Sequence, residues 1–127
     1  MERPSTPELT LLIVEDETLI AMELEDILRD LGHQVFDVCA TAARAIALID
    51  RSAGSLDGAI LDANLGSLSA VGVAEALERH GVPFLLASGY NRDELERLGF
   101  HAPQIRKPYH RREIEHALAT LATRTRR

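Results

Sequence analysis

Short apolar runs alternate along this chain with longer segments in which apolar residues recur at helical spacing. The short runs lie at residues 9–14 (LTLLIV), 33–39 (HQVFDVC), 58–62 (GAILD), 82–88 (VPFLLAS) and 103–106 (PQIR). The runs at 9–14 and 58–62 are largely unbroken, as is typical of strands buried on both faces of a parallel sheet. The run at 33–39 instead alternates and is rich in residues that favour strands. The pattern therefore predicts five strands, and the last of them, being short and polar, is predicted to lie at an edge of the sheet.

Each predicted strand is followed by a segment with apolar residues three and four positions apart, as in a helix with one buried face. These residues are, in chain order, Ile20, Leu24, Ile27, Leu28 and Leu31; Ala42, Ala45, Ile46 and Ile49; Val73, Ala74 and Leu77; Leu95 and Leu98; and Ile114, Ala117, Leu118 and Leu121. Thr41 and Ser69 are predicted N-caps, and Gly32 is a predicted helix stop. The fourth segment has only two apolar residues to bury, which predicts a short helix.

Strands that alternate with helices predict βαβ units and a parallel sheet covered on both faces. We therefore predict an α/β fold with a doubly wound, five-stranded parallel sheet. The 127 residues are predicted to form a single domain, with a core of about residues 9–121 and flexible tails at 1–8 and 122–127.

The composition excludes several classes of protein. With 14 basic and 20 acidic residues the net charge is −6, which disfavours general binding to nucleic acid or to anionic membranes. Cys39 is the only cysteine, so no internal disulfide can form, as expected in a reducing compartment. The N-terminus lacks the apolar core of a signal peptide, and no apolar run approaches the roughly 20 residues of a membrane span. We expect a cytoplasmic protein that contacts neither DNA nor membrane.

Groups that bind cations or phosphoryl oxygens follow four of the predicted strands. Glu15 and Asp16 follow the first strand, Asp62 ends the third, Ser88 ends the fourth, and Lys107 follows the fifth. In open α/β sheets ligands bind at the carboxyl ends of the strands, so these side chains are predicted to share one edge. An aspartate that directly follows the apolar GAIL is harder to explain as an ordinary loop residue.

The chemistry of this set is coherent. Carboxylates that lie close together repel unless a cation intervenes, and Mg²⁺ prefers one or two carboxylates, water and phosphate oxygens. An aspartate beside Mg²⁺ can attack a phosphoryl group and form an aspartyl phosphate. Lys107 would then offset charge on the transferring oxygens, while the Ser88 hydroxyl donates to one of them.

Four motifs in this order, VEDE, LDANLG, ASGY and RKP, resemble those of the receiver domain of two-component response regulators. The resemblance covers about residues 9–121 and implies a flavodoxin-like (βα)5 fold. It also implies that Asp62 is the phosphoacceptor and that Mg²⁺ is the cofactor. By the same resemblance the protein is not an enzyme acting on a separate substrate, but promotes its own phosphorylation and dephosphorylation.

The resemblance also implies roles for the neighbouring residues. Asp16 matches a direct metal ligand, and Glu15 matches a neighbour that acts through water. Asn64 would give its backbone carbonyl to the metal. Ser88 and Lys107 match the hydroxyl and the lysine that contact the phosphoryl group. The implied partners are a sensor histidine kinase or a histidine phosphotransfer protein, and a downstream protein that the sequence does not identify.

Two features depart from the usual receiver pattern. Gln104 stands where an aromatic switch residue is expected, three positions before Lys107. The segment PFLLASGY (83–90) resembles the PFxFATGY signature of a receiver subgroup, with Ser88 in place of threonine, and that subgroup has a short or irregular fourth helix. Tyr90 is therefore the candidate switch residue.

Two other functions compete with that of a phosphoacceptor. A Mg²⁺-dependent phosphotransfer or nuclease-like enzyme could use Glu15 with Asp62 and Asn64, but it would favour a second aspartate at position 64 and gives Ser88 and Lys107 no role. A degenerate receiver that only binds partners is disfavoured because every chemical position is filled. A stand-alone receiver is expected, since no output domain follows Leu121 in this sequence, and a fragment of a longer regulator is the alternative.

The remaining polar residues have simpler interpretations. The five histidines (33, 80, 101, 110 and 116) lack the spacing of metal ligands and are predicted to lie at the surface. Asp37 and Asp57 flank predicted strands and are predicted to face solvent.

Overall fold

The computed structural model describes residues 7–65, 67–89 and 91–124, which form a five-stranded sheet with helices on both faces. The strands are β1 (Thr10–Val14), β2 (Gln34–Cys39), β3 (Gly58–Asp62), β4 (Phe84–Ser88) and β5 (Gln104–Arg106). Their order is β2-β1-β3-β4-β5, and every neighbouring pair is parallel. The predicted flavodoxin-like sheet and the edge position of the fifth strand are confirmed.

Five helices connect and cover the strands. They are α1 (Thr18–Asp30), α2 (Ala42–Ser52), α3 (Ser67–Arg79), α4 (Arg92–Arg97) and α5 (Arg111–Ala122), and a 3₁₀ turn at Ala53–Ser55 follows α2. The fourth helix has six residues, so the prediction of a short helix there is confirmed. None of the described helices combines the length and the apolar character that crossing a membrane requires.

The strands alternate their side chains between two apolar layers. In β1, Leu12 and Val14 enter a layer shared with α2, α3 and α4, whereas Leu11 and Ile13 enter a layer shared with α1 and α5. All four are inaccessible to solvent. Because both faces of the strand are covered, its sequence is uniformly apolar rather than alternating.

The helix boundaries test the predicted caps. The Thr41 hydroxyl accepts a hydrogen bond from the Arg44 backbone N–H at 3.2 Å, and Gly32 has the positive φ of 94° that suits a helix stop. The prediction for Ser69 is wrong, because α3 already begins at Ser67. The turn after β3 is tight, with Leu65 N–H donating to the Asp62 carbonyl at 3.3 Å, and the helix starts three residues earlier than a cap at Ser69 would place it.

Two residues predicted to face solvent instead fix the start of β1. His33 is 6% exposed, and its Nδ1 accepts a hydrogen bond from Leu9 N–H at 3.0 Å. Asp57 is half-buried, and its Oδ2 accepts one from Thr10 N–H at 2.9 Å. These partners are distant in sequence, so local polarity could not reveal them. Burial lowers the pKa of His33, which favours the neutral ring that accepts this bond.

Candidate phosphoacceptor site

The carboxyl ends of four strands place the predicted site residues along one edge of the sheet. β3 ends at Asp62 and β4 ends at Ser88, while Glu15 and Lys107 directly follow β1 and β5. The register is tight, since Val14 pairs with Leu61 and Asp62 pairs with Ala87. The predicted convergence of these residues therefore results from the parallel strand order.

Lys107 joins two carboxylates that are far apart in sequence. Its Nζ lies 3.1 Å from Glu15 Oε1 and 3.1 Å from Asp62 Oδ1. The lysine side chain is 18% exposed and each carboxylate side chain only 2%. Burial alone would lower the pKa of Lys107, but the charges of Asp62 and Glu15 and their hydrogen bonds outweigh it, so the pKa is raised. The ammonium thus stays protonated and serves as the counterion of the acidic pair.

The sequence singles out this position in another way. Of its 14 basic residues, Lys107 is the one lysine and the others are arginines. A lysine ammonium is a compact point charge, whereas the arginine fork is planar and wider. Here the single ammonium of Lys107 lies 3.1 Å from an oxygen of each of the two buried carboxylates.

The surroundings of Glu15 act on its pKa in opposite directions. Burial raises its pKa to about 7, although the Glu17 backbone N–H donates to its Oε2 at 3.1 Å and opposes the rise. The neighbouring Asp62 raises the pKa further, and Lys107 lowers it. When no cation is present, this carboxyl therefore keeps its proton to a higher pH than an ordinary glutamate does.

A divalent cation would offset the repulsion between Glu15 and the neighbouring carboxylates. Glu15, Asp16 and Asp62 each offer a carboxylate oxygen, and these three oxygens lie within 4.8 Å of one another. Two of the residues are buried and Asp16 is exposed, so the donor set is anchored on one side and open to water on the other. Oxygen ligands with room for water are what Mg²⁺ requires. The residues present fit the predicted magnesium site.

The structure places two of the three other predicted site residues, Asn64 and Ser88, beside Asp62 and Lys107. Asn64 is exposed, and its backbone N–H donates to Asp62 Oδ1 at 2.9 Å; the use of its carbonyl as a metal ligand remains a prediction. Ser88 is fully buried, and its carbonyl accepts a hydrogen bond from Lys107 N–H at 3.1 Å, whereas the phosphoryl contact of its hydroxyl also remains a prediction. Tyr90, the candidate switch residue, lies outside the described residues.

Sequence reasoning missed a cavity beside the lysine. It has a volume of about 360 Å³ and is lined by Ile20, Glu23, Lys107, Pro108 and Tyr109. The Tyr109 hydroxyl is buried and has no hydrogen-bond partner among the described residues. Burial raises the pKa of this phenol, and the charges of Glu15 and Asp62 raise it further. No local pattern in the sequence indicated that Tyr109 would lie so close to the acids.

Comparison with known proteins identifies the class that this fold and site define. The solution structure of beryllofluoride-activated SdrG from Pseudomonas melonis Fr1 is 38% identical, with a TM-score of 0.74; the match covers 95% of this chain and 99% of that one. No family model matches the sequence. With this identity over nearly the whole of SdrG, the chain belongs to the receiver domains of response regulators.

Longer regulators contain a similar domain. The phyllosphere-induced regulator PhyR of Methylorubrum extorquens is 37% identical over 83 residues, which are 63% of this chain and 30% of that protein. The crystal structure of PhyR from Brucella abortus superposes with a TM-score of 0.74 at 26% identity, covering 92% of this chain and 48% of that one. The chain thus spans less than half the length of these PhyR proteins.

Proposed function

We propose that this receiver takes a phosphoryl group from a histidine kinase or a histidine phosphotransfer protein onto Asp62, with Mg²⁺ bound. The observation that carries the proposal is the Lys107 ammonium held 3.1 Å from both Asp62 and Glu15 inside a nearly buried acidic pair. A lysine that only formed a structural ion pair would need one carboxylate partner, whereas Lys107 has two. Here a third carboxylate, Asp16, offers an oxygen close to those of Glu15 and Asp62, and this set of donors supports a cation site at the same place.

In the proposed reaction an Asp62 carboxylate oxygen attacks the phosphorus of a phosphohistidine. The new O–P bond forms as the N–P bond breaks, and the released imidazole takes up a proton from solvent. Lys107 and the Ser88 hydroxyl donate hydrogen bonds to the transferring oxygens, where negative charge is greatest. Asp16, Asp62 and the Asn64 carbonyl, with Glu15 acting through water, would hold Mg²⁺, which would supply further positive charge at the transferring oxygens.

The output of the phosphorylated receiver is a protein contact or transfer of the phosphoryl group to another histidine. The related SdrG has an activated conformation with beryllofluoride, a mimic of the phosphoryl group, and this supports a response of the same kind here. The net charge of −6 argues against direct DNA binding. The segment 83–90 supports membership of the PFxFATGY subgroup, and Gln104, which cannot act as an aromatic switch residue, supports Tyr90 in the switch role. The single cysteine, Cys39, agrees with a reducing, cytoplasmic site of action.

Treatment with phosphoramidate and Mg²⁺ separates the proposed function from the alternatives. A phosphoacceptor takes up one phosphoryl group per chain. A Mg²⁺-dependent phosphotransferase or nuclease instead turns over a supplied substrate many times without stable labelling. A degenerate receiver does neither, and either of the last two results would overturn the proposal.

A further inference from the structure

The segment between β4 and β5 is held by Arg92, the first residue of α4. The Arg92 guanidinium donates two hydrogen bonds to backbone carbonyls of the loop before β5. Nη1 contacts the Ala102 carbonyl at 2.8 Å, and Nη2 contacts the Phe100 carbonyl at 3.0 Å. One planar guanidinium thus joins Arg92 to carbonyls that lie 8 and 10 positions further along the chain.

The parts that Arg92 joins are each well ordered by their own contacts. At the start of α4, the Asn91 side chain accepts a hydrogen bond from Glu94 N–H, and the Glu94 carboxylate accepts one from Asn91 N–H, which forms a capping box. At the other end, Phe100 is 2% exposed and Leu95 is fully buried in the layer shared with α2 and α3. A short helix that would be marginal alone is therefore fixed at both ends.

The hydrogen bonds of Arg92 connect the segment that follows Ser88 with the segment that leads to Lys107. Arg92 follows Ser88 by four residues, so it begins the segment that leads away from the proposed phosphoryl-binding hydroxyl. The carbonyls it contacts precede β5, the strand that leads to Lys107. Pro103, next to Ala102, is in turn fixed by its carbonyl, which accepts a hydrogen bond from Leu86 N–H of β4 at 2.8 Å.

We propose that Arg92 is a positioning residue that couples the segment after Ser88 (residues 89–91) to the start of β5. When that segment is displaced, Arg92 makes α4 and residues 98–102 move as one unit. This proposal rests on phosphorylation at Asp62. The physical reason is the paired donor geometry: a guanidinium bonded to two carbonyls resists both translation and rotation, whereas a single bond would allow the loop to pivot. With Gln104 in place of an aromatic switch residue, Arg92 provides a different physical link between the site and this edge of the sheet.

A merely structural role makes a different prediction. If Arg92 only stabilised the loop, its removal would lower the free energy of unfolding, but a phosphoryl mimic would still shift the same backbone amides. If Arg92 couples the two segments, its removal separates the responses: amides near Asp62 still respond to the mimic, whereas those at residues 100–105 (Pro103 has none) respond less than half as strongly as in the wild type.

The experiment uses ¹⁵N-labelled protein with Mg²⁺, titrated with beryllofluoride and followed by amide chemical shifts. The variants are Arg92→Met, Arg92→Lys, which keeps the charge but not the paired geometry, and Arg97→Met as a control. Arg97 is exposed at the end of the same helix. In Arg92→Met we expect the shifts of residues 100–105 to fall to less than half of the wild-type values, while the shifts of residues 62–64 persist. Arg92→Lys should be intermediate and Arg97→Met unchanged.

Shifts of wild-type size at residues 100–105 in Arg92→Met would overturn the coupling but leave the proposed function standing. Absence of any beryllofluoride response near Asp62 in the wild type would overturn the proposed function, and the coupling with it. Should Arg92→Met fail to fold, Arg92→Gln takes its place, and an undiminished response at residues 100–105 in that variant would contradict the proposal equally.

Discussion

Lys107 Nζ and Asp62 Oδ1 lie 3.1 Å apart although 45 positions separate the residues in sequence. The contact is nearly enclosed, since the lysine side chain is 18% exposed and the aspartate side chain 2%. A charge pair in such surroundings is weakly screened, and loss of one partner leaves the other without compensation. The same ammonium also serves Glu15, so its removal exposes two acids to each other.

Replacement of Lys107 by methionine should therefore destabilise the metal-free protein. We expect a loss of about 3 kcal/mol in the free energy of unfolding at pH 8, from a buried pair left without its partner. Urea denaturation in chelator measures it. Mg²⁺ should restore much of the loss because it supplies the missing positive charge. The exposed neighbour Arg106→Met is the matched control, and an equal loss in both variants would contradict the assigned role of Lys107.

Replacement of Lys107 by arginine tests geometry rather than charge. Stability in chelator should stay closer to wild type than in Lys107→Met, because a cation remains. Phosphorylation by a small donor should slow by about 10²-fold, the usual cost of misplacing one group that stabilises the transition state. Rates from intact-mass time courses at saturating Mg²⁺ measure this. Phosphorylation at the wild-type rate would show that a positive charge alone is sufficient.

Mg²⁺ binding should weaken as the pH falls below neutrality. The pKa of Glu15 is raised to about 7 without metal, and a cation binds the deprotonated carboxylate. Affinity should thus fall by about tenfold per pH unit below that pKa, as one proton competes with the metal. Calorimetric titrations between pH 6 and pH 8 measure it. Glu15→Gln should bind Mg²⁺ weakly with little pH dependence, whereas the exposed neighbour Glu17→Gln should behave like wild type.

The same raised pKa has a consequence for stability, with a definite sign. Between its ordinary value of 4.5 and about 7, Glu15 binds more proton in the folded protein than in the unfolded chain. In chelator its contribution is therefore fully present below 4.5 and is lost as the pH rises through 7. Glu15→Gln should abolish this contribution, and Mg²⁺ should reverse it by stabilising the ionised form. Melting temperatures of Glu15→Gln and wild type that run parallel over this range would contradict the shift.

Much of the fold could be predicted because its signals are local. GAILD became a strand with the predicted bounds, and Thr41 capped its helix, since a strand buried on both faces and a capping hydroxyl each leave a mark within a few residues. Asp62 and Lys107 could be placed on one edge because parallel connection fixes which ends of the strands meet. The error at Ser69 lay in a helix boundary, where several small polar residues compete for the start.

Contacts between distant residues could not be predicted in the same way. Nothing near His33 indicates that its ring accepts the N–H of Leu9, 24 positions away. Similarly, the low apolar content of α4 predicted a short helix with only Leu95 and Leu98 to bury. The structure adds the buried ring of Phe100 and the bridge from Arg92, and both depend on how the loop folds back.

His33 should make the protein less stable in mild acid. Its pKa is lowered by burial, so the unfolded chain binds a proton at a pH where the folded chain does not. Its contribution to stability is complete above the ordinary value of 6.5 and is lost as the pH falls below it towards the lowered value. His33→Asn, whose side-chain oxygen can still accept the Leu9 N–H, should be more stable relative to wild type at pH 5.5 than at pH 7.5. The exposed His116→Asn is the control, and an equal effect of pH in both variants would contradict this account.

The central claim is that Asp62 is the residue that accepts the phosphoryl group, and intact mass spectrometry tests it most directly. Wild type and Asp62→Asn are treated with phosphoramidate, once with Mg²⁺ and once with excess chelator. Asparagine keeps the size of the side chain but removes its charge and its nucleophilic oxygen. The account predicts one added phosphoryl group in the wild type with Mg²⁺, and none in the variant or in chelator. Equal labelling of Asp62→Asn, or labelling of the wild type that is indifferent to chelator, would contradict it.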